Sequence, residues 1–468
     1  MSTQDGGAVH ASEEGARFGR LARVAGRVYL VLAVAALALA AHQIWRWAEG
    51  SGSVAVAAMA LGAALLLAGA LRLPPSWRIQ LLLAAVPVLG LLAIAELVAT
   101  ALAPADPSVT ERLDLAQQVR LLRQEGHPDA VPPSRGWAYL DDPLIVLGRP
   151  TVPLAGLPDS LEVLCQEHGE WRLYPTDRMG FTNPDAVWNA PADIVIVGDS
   201  FAQGFCVPVE QSFASRIRAR HPATINLGSL ASGPLLELGT LAEYLPQAHG
   251  RLVLWFFYEY NDLADLVDEA AVPILRDYLT PGTSQDLLGR REALQAAQRE
   301  RVEGHLAQPT AIRPRSRASP SQWLRFLRLG HLRARLGWVR RGHPYQTTDT
   351  RQARELFPLV VARMRQEADA VGARLVLVYL PGRDSIDGMG PNPLRSMVLE
   401  AARAGGLEVV DLAEPMSRHP QPQRLYSRQV PWSHLSSEGN RVVAEAVLDA
   451  IERGGWIAAP APRSLERP

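Results

Sequence analysis

Nothing constrains the fold of this 468-residue chain more than the three long apolar runs crowded into its first 105 residues. The first extends from about Val28 to Trp47, the second is the uncharged stretch Val54 to Leu71, and the third runs from Ile79 to Ala103. Crossing ~30 Å of hydrocarbon takes about 20 helical residues, so the second and third runs qualify. The first is weaker, because its clean apolar stretch stops at His42. It reads as a retained helix; the alternative is a signal peptide cleaved at the A-x-A pattern Ala38-Leu39-Ala40. Arg17, Arg20, Arg23 and Arg27 precede the first run, Arg72 and Arg78 flank the loop after the second, and only Arg46 lies between the first two. The positive-inside rule then puts the N-terminus and the second loop in the cytoplasm, and everything after Ala103 on the exported side of a bacterial inner membrane. Glu96, inside the third run, is expected near the outer end or against another helix.

Composition excludes several classes. The 47 basic and 48 acidic side chains nearly cancel, so no global field draws the chain to nucleic acid. Every basic residue is arginine, which makes an arginine cluster by itself a poor sign of a binding site. Hydrophobic content of 48% excludes a disordered chain, and two cysteines exclude a disulfide scaffold or a four-cysteine zinc site. The 11 histidines form no H-E-x-x-H, and neither a P-loop nor a dinucleotide fingerprint is present, so no metal or other cofactor is expected.

These patterns divide the chain into a cytoplasmic tail (1–27), three transmembrane helices (28–104), an exported linker with a small hairpin-containing segment (105–190), an α/β domain (191–456) and a disordered tail (457–468). Glu111 to Gln124 has helical spacing, residues 127–160 read as irregular, and Leu161 to Asp177 reads as a hairpin turning at Glu167-His168-Gly169-Glu170. From Ala192 short apolar runs alternate with amphipathic stretches. The runs are Asp193–Gly198, Thr224–Gly228, Leu252–Tyr258, Arg374–Leu380 and Leu407–Leu412, with helical candidates near 210–220, 234–248, 353–371, 391–404 and 437–453. Five buried strands with crossover helices imply a parallel sheet covered on both faces, with ligands bound outside the strands' carboxyl ends. A helical insertion at about 282–350 contains an arginine-rich stretch around Arg325 to Arg341, read either as a cap on the sheet or as a helix resting on anionic lipid or polysaccharide.

Chemistry-bearing residues fall at those strand ends. Gly198-Asp199-Ser200 follows the first strand, the small-residue loop Asn226 to Gly233 the second, and Glu259-Tyr260-Asn261-Asp262 the third. His434 stands just before the last helix. A nucleophile, a base and a set of amide donors are the parts that acyl transfer needs.

In these residues and their order the sequence resembles the SGNH (GDSL-type) hydrolases, over about Ala192 to Ile451. The resemblance implies a flavodoxin-like three-layer α/β/α sandwich with a five-stranded parallel sheet, acting as a serine esterase or acyltransferase. It implies Ser200 as nucleophile, His434 as base, and an oxyanion hole drawn from Ser200, Ala231 or Gly228, and Asn261, with Asp199 and Asp262 in support. The stretch Tyr174-Pro175-Thr176-Asp177-Arg178-Met179-Gly180-Phe181-Thr182-Asn183-Pro184 looks like the D-x-x-G-F-x-N lead-in of exported bacterial members. Three positions depart from the family's pattern: Glu259 replaces a glycine, Ala231 replaces another, and Pro431 and Trp432 stand where an aspartate normally precedes the histidine. Losing that aspartate elsewhere costs up to ~10⁴ in rate. Either a backbone carbonyl or another acid (Asp411 or Glu438) orients His434, or a reactive ester makes a dyad sufficient, or the site binds without turnover. Outside the cytoplasm Cys165 and Cys206 are expected to pair, two buried thiols being the alternative. The expected activity is hydrolysis of acyl esters, O-acetyl above all, on an envelope glycan or lipid. A carbohydrate-binding assembly module and an O-acyltransferase are the alternatives, and the expected partners are the bilayer, the acylated substrate and other envelope polysaccharide machinery, with no nucleic acid.

Overall fold

The computed structural model describes residues 5–48, 54–101, 115–165, 171–308, 350–387, 390–427 and 433–457, with Leu329 alone between. The chain divides into two compact units, Met1–Pro104 with Arg313–Gly342, and Ala105–Ile312 with His343–Pro468.

The first unit holds α1 (Asp5–Ala48), α2 (Val54–Ala70) and α3 (Pro75–Ala101). Stretches of α1 and α3, Gly15–His42 and Pro75–Val98, are long and apolar enough to cross a membrane. The ranking read from sequence is thus altered. No proline interrupts residues 5–27, so α1 starts well before Val28. The 17 residues of α2 reach only about 26 Å at 1.5 Å rise per residue. Leu30, Val31, Leu65, Leu66, Leu83 and Leu91 are exposed on these helices, whereas Glu96 is fully buried. The Tyr29 hydroxyl donates to the Arg78 carbonyl at 3.3 Å, joining α1 to the first turn of α3.

The second unit opens with α4 (Leu115–Gln124) and short strands β1 (Ala130–Val131), β2 (Leu144–Val146), β3 (Arg149–Thr151), β4 (Leu161–Val163) and β5 (Leu173–Pro175). Residues 127–160 are therefore not wholly irregular: β2 and β3 form a hairpin, and β1 runs parallel to β4. Their two- and three-residue lengths leave no periodicity to read. The expected hairpin is present as antiparallel β4 and β5, and its tip at 166–170 lies outside the described residues.

Five parallel strands follow, β6 (Ile194–Val197), β7 (Thr224–Asn226), β8 (Leu252–Tyr258), β9 (Arg374–Leu380) and β10 (Glu408–Asp411), in the order β10-β9-β8-β6-β7. Between them lie α5 (Ser200–Gln203), α6 (Phe213–Arg220), α7 (Pro234–Ala248), α8 (Asp262–Glu269), α9 (Pro273–Arg276), α10 (Arg291–Ala307), α11 (Thr350–Ala370), α12 (Arg383–Ile386) and α13 (Arg395–Ala404). After β10 come α14 (Ala413–Ser417) and α15 (Ser437–Gly454). Helices α7, α8 and α11 pack together on one face and α6 with α15 on the other, giving the three-layer sandwich.

Strand β8 shows why the sheet is central. All seven of its residues are buried, and successive side chains enter opposite layers. Trp255 and Phe257 meet Phe357 of α11 (ring centroids 5.7 and 5.2 Å), while Phe256 stacks on Phe213 of α6 at 4.3 Å. The strand order reverses between β6 and β8, and their carboxyl ends open a crevice at that point. The arginine-rich part of the insertion and the tail 458–468 lie outside the described residues.

Candidate active site

The turn from β6 into α5 places the serine. Gly198 has φ +156°, and a Cβ there would stand 2.9 Å from both the Phe256 carbonyl oxygen and Ala202 Cβ. Only glycine lets the backbone pass so close to β8. Asp199 caps α5, its Oδ1 accepting from the Phe201 N–H at 2.8 Å, so Ser200 is the first helical residue. At the other end of the domain, Ser436 caps α15, and the Ser427 N–H donates to the His434 carbonyl at 2.8 Å. These two local structures bring Ser200 Oγ to 2.9 Å from His434 Nε2. With its proton on Nδ1, the imidazole accepts the serine hydroxyl's hydrogen there. Rings of Phe201 and Phe205 lie beside the imidazole, at centroid distances of 4.8 and 4.5 Å.

The expected oxyanion donors separate into three cases. The N–H groups of Ser200 and Ala231 donate to none of the described residues, and Ala231 sits in the left-handed region at φ +53°. Its loop is tied to the serine turn, since the Ser229 N–H donates to the Gly198 carbonyl (3.0 Å) and the Leu230 N–H to Gln203 Oε1 (2.8 Å). Gly228 does not fit the expectation, because its N–H is already given to Asn226 Oδ1 at 2.9 Å. Asn261 is also differently engaged. Its Nδ2 donates to Asp265 Oδ2 at 2.9 Å and Asp199 Oδ2 at 3.3 Å, which occupies both amide hydrogens.

Carboxyls crowd beneath the serine. Burial pushes Asp199 up to about 6, opposed by the Phe201 N–H, the His434 charge and the Asn261 amide. Burial likewise raises Asp265 to about 6 and Glu269 to about 8. Asp262 is fully buried and lifted well above the carboxylate range by burial and by the charges of Glu237 and Asp199. Its Oδ2 accepts the Tyr258 N–H at 2.7 Å, so it closes the end of β8 rather than facing the crevice.

Neither acid considered for His434 touches it. Asp411 binds Arg395 and the Ala413 N–H, and Glu438 binds Arg441 and His419. Pro431 and Trp432 lie outside the described residues. The departure at Glu259 has a structural use: its carboxylate accepts from the Tyr379 hydroxyl, the Gly382 N–H (both 2.6 Å) and Ser385, fastening the end of β9 beside that of β8.

The lead-in is scaffolding for the site. Asp177 accepts from the N–H groups of Met179 and Phe181, from Asn183 Nδ2 and from the Trp188 indole. Asn183 in turn bonds both backbone groups of Asn226 (2.9 Å each), and Asn226 Nδ2 donates to the Ala202 carbonyl at 2.8 Å. Cys165 and Cys206 are joined, with Cα atoms 5.3 Å apart, which attaches the hairpin to the loop that carries Phe205. Sequence reasoning missed Phe205 and Asp265. The i, i+4 spacing of Asn261 and Asp265 was a usable signal for the second; nothing in the sequence marked the first. Among the described residues no three His, Cys, Asp or Glu side chains form a group able to hold a metal ion.

The parallel sheet has the order 2-1-3-4-5 and bears serine, asparagine and histidine in this order at its carboxyl edge, as the resemblance to the SGNH hydrolases implies. No family model matches the chain, and no curated protein does. Solved structures that align with it include a lipolytic G-D-S-L family protein from Veillonella parvula (12% identity, TM-score 0.31, 56% of this chain and 98% of that one). A lipase/acylhydrolase from Enterococcus faecalis aligns at 14% identity and TM-score 0.32, over 58% of this chain and 99% of its own. A two-domain esterase active on acetylated mannans aligns at 11% identity and TM-score 0.30, over 60% of this chain and 55% of its own.

Proposed function

We propose that the chain is a membrane-anchored serine esterase that removes acyl groups, O-acetyl above all, from an exported glycan or lipid. The observation that carries the reading is the 2.9 Å contact between Ser200 Oγ and His434 Nε2, at the sheet's switch point. In the proposed reaction the Ser200 oxygen attacks the ester carbonyl carbon while its proton passes to His434 Nε2. The resulting oxyanion is held by the N–H groups of Ser200 and Ala231, each such donor being worth about 10²–10³ in rate. His434 then returns the proton to the departing alcohol, and water repeats the sequence on the acyl-serine. Asn261 joins the oxyanion only by giving up its longer bond, the 3.3 Å one to Asp199. Membrane anchoring rests on the apolar stretches of α1 and α3, and the outward placement of the esterase on the arginine distribution.

The test is full-length protein in detergent, assayed with p-nitrophenyl acetate and a fluorophosphonate probe beside Ser200→Ala and His434→Ala. Hydrolysis and labelling lost in the alanine variants support the esterase. Labelling of wild type equal to Ser200→Ala refutes it and favours a binding module, and labelling without hydrolysis favours acyl transfer to another acceptor.

A further inference from the structure

A polar groove of about 690 Å³ is lined by residues flanking the disulfide and the start of α15, and the esterase mechanism makes no use of it. Its wall includes Cys206, next to Phe205 on the imidazole, and Ser436, two residues beyond His434. Two residues of chain span at most ~7 Å, so the Ser436 Cα lies within that distance of the His434 Cα. Arg172, Gln211, Gln421, Arg424 and Ser437 line it, and its volume is within the usual range for a ligand pocket, about 300–1,000 Å³.

Its charge is unbalanced. Arg172 comes from β4's neighbouring arm of the hairpin, just before β5, and its Nε is buried without a hydrogen-bond partner. Arg424 donates to the Gln421 side-chain oxygen at 3.0 Å and makes no ion pair among the described residues. The one carboxylate in the wall, Glu438, is spent on Arg441 and His419, and those contacts hold its carboxyl down to about 2. Among the described residues, two guanidinium groups therefore line the groove without an anion. The amide Nε2 groups of Gln211 and Gln421 supply hydrogens that sugar hydroxyls accept, while the Ser436 and Ser437 hydroxyls are bonded to the Arg424 carbonyl and to Gln211 Oε1. An acyl tail would find only Val207 and Pro208 as apolar walls. Guanidinium forks pair with carboxylates in a planar, bidentate geometry that specifies an acid rather than mere negative charge.

We infer that this groove binds the carboxylates of an acidic, uronate-type glycan, and holds the acylated sugar of that chain with its ester at Ser200. The inference rests on the esterase reading for its last step alone; recognition of the acid chain stands without it.

The experiment uses the full chain in detergent and an Arg172→Gln/Arg424→Gln double variant. On O-acetylated polygalacturonate oligomers the variant's KM is expected to rise about 10- to 100-fold, from roughly tenfold per charge-assisted bond lost. Its kcat, and both constants on p-nitrophenyl acetate and acetylated xylan oligomers, are expected to stay within about twofold. In a second arm, de-acetylated galacturonate oligomers are titrated into Ser200→Ala with and without the two arginine substitutions, with at least tenfold weaker binding expected when they are present. Equal KM values on the acidic substrate, or equal binding in the second arm, overturn the inference while leaving the esterase reading intact. Weakening seen with glycerol 3-phosphate but not with galacturonate overturns it in favour of a lipid headgroup. Absent hydrolysis of every ester with the second arm as expected refutes the esterase and supports the groove.

Discussion

Replacing Asp265 with asparagine tests the claim that the interior beneath Ser200 stores protonated acids. The side chain holds the Asn261 amide at 2.9 Å, and burial, reinforced by the charges of Asp199 and Asp268, lifts its pKa to about 6 from an ordinary 3.8. The folded chain therefore keeps a proton between about pH 4 and 6 that the unfolded chain has released. A group raised in this way contributes its full stability below its unfolded pKa and loses it as pH climbs through its folded one. The shift corresponds to about 3 kcal/mol, lost between about pH 4 and pH 7. Asparagine retains an acceptor for the Asn261 bond and cannot ionise, so the variant lacks this loss. Near-UV circular dichroism of the full chain in detergent follows the melting of the α/β unit. Variant minus wild-type Tm is expected to be about 6 °C more positive at pH 8 than at pH 4, at roughly 2 °C per kcal/mol for a domain of this size. A difference in Tm that does not change between those pH values would mean that Asp265 is ionised in the fold at pH 5, and would refute the argument.

Two further expectations follow from the packing and the cross-link. Phe257→Ala removes a ring that meets both Phe357 and Tyr379 in the centre of the sheet, and should cost about 3–5 kcal/mol in urea unfolding. A Cys165→Ser/Cys206→Ser variant opens a loop of sequence separation 41, which loop-closure entropy values at about 4 kcal/mol. Non-reducing peptide mass spectrometry should find the linked pair in wild type, and both cysteines alkylated without reductant would contradict it.

The fold was legible where one buried face or two left a clear pattern. Leu252–Tyr258 reads as a strand buried on both sides because it is apolar throughout, and it is. Ser200, Asn261 and His434 were legible because each lies where a strand stops or a helix starts. What the sequence concealed is mostly partner choice. One of the two acceptors that hold the Asn261 amide, Asp199, lies 62 residues from it in the chain. No spacing rule reaches that distance. The lead-in Asp177 to Asn183 was recognisable as a motif, yet its use, bracing Asn226 and through it α5, appears only when β6 and β7 are paired.

The usual aspartate before the histidine is absent, and among the described residues one group can stabilise the imidazolium formed during attack. Phe201 and Phe205 fix the ring's plane but offer no negative charge. Asp199 does, because the His434 charge lowers the Asp199 pKa, and such coupling is reciprocal. Asp199 is ionised above about pH 6, where its charge can stabilise the imidazolium formed in the transition state. Asp199→Asn keeps a good helix-capping residue for the Phe201 N–H while removing that charge. If the coupling is worth one pKa unit, ~1.4 kcal/mol, kcat on p-nitrophenyl acetate at pH 8 should fall about tenfold in the variant. The loss should shrink as pH drops through 6, where wild type also carries a neutral Asp199, and labelling of Ser200 by the fluorophosphonate should persist. A variant equal to wild type at pH 8 would show that the charge beside the serine takes no part in stabilising the imidazolium.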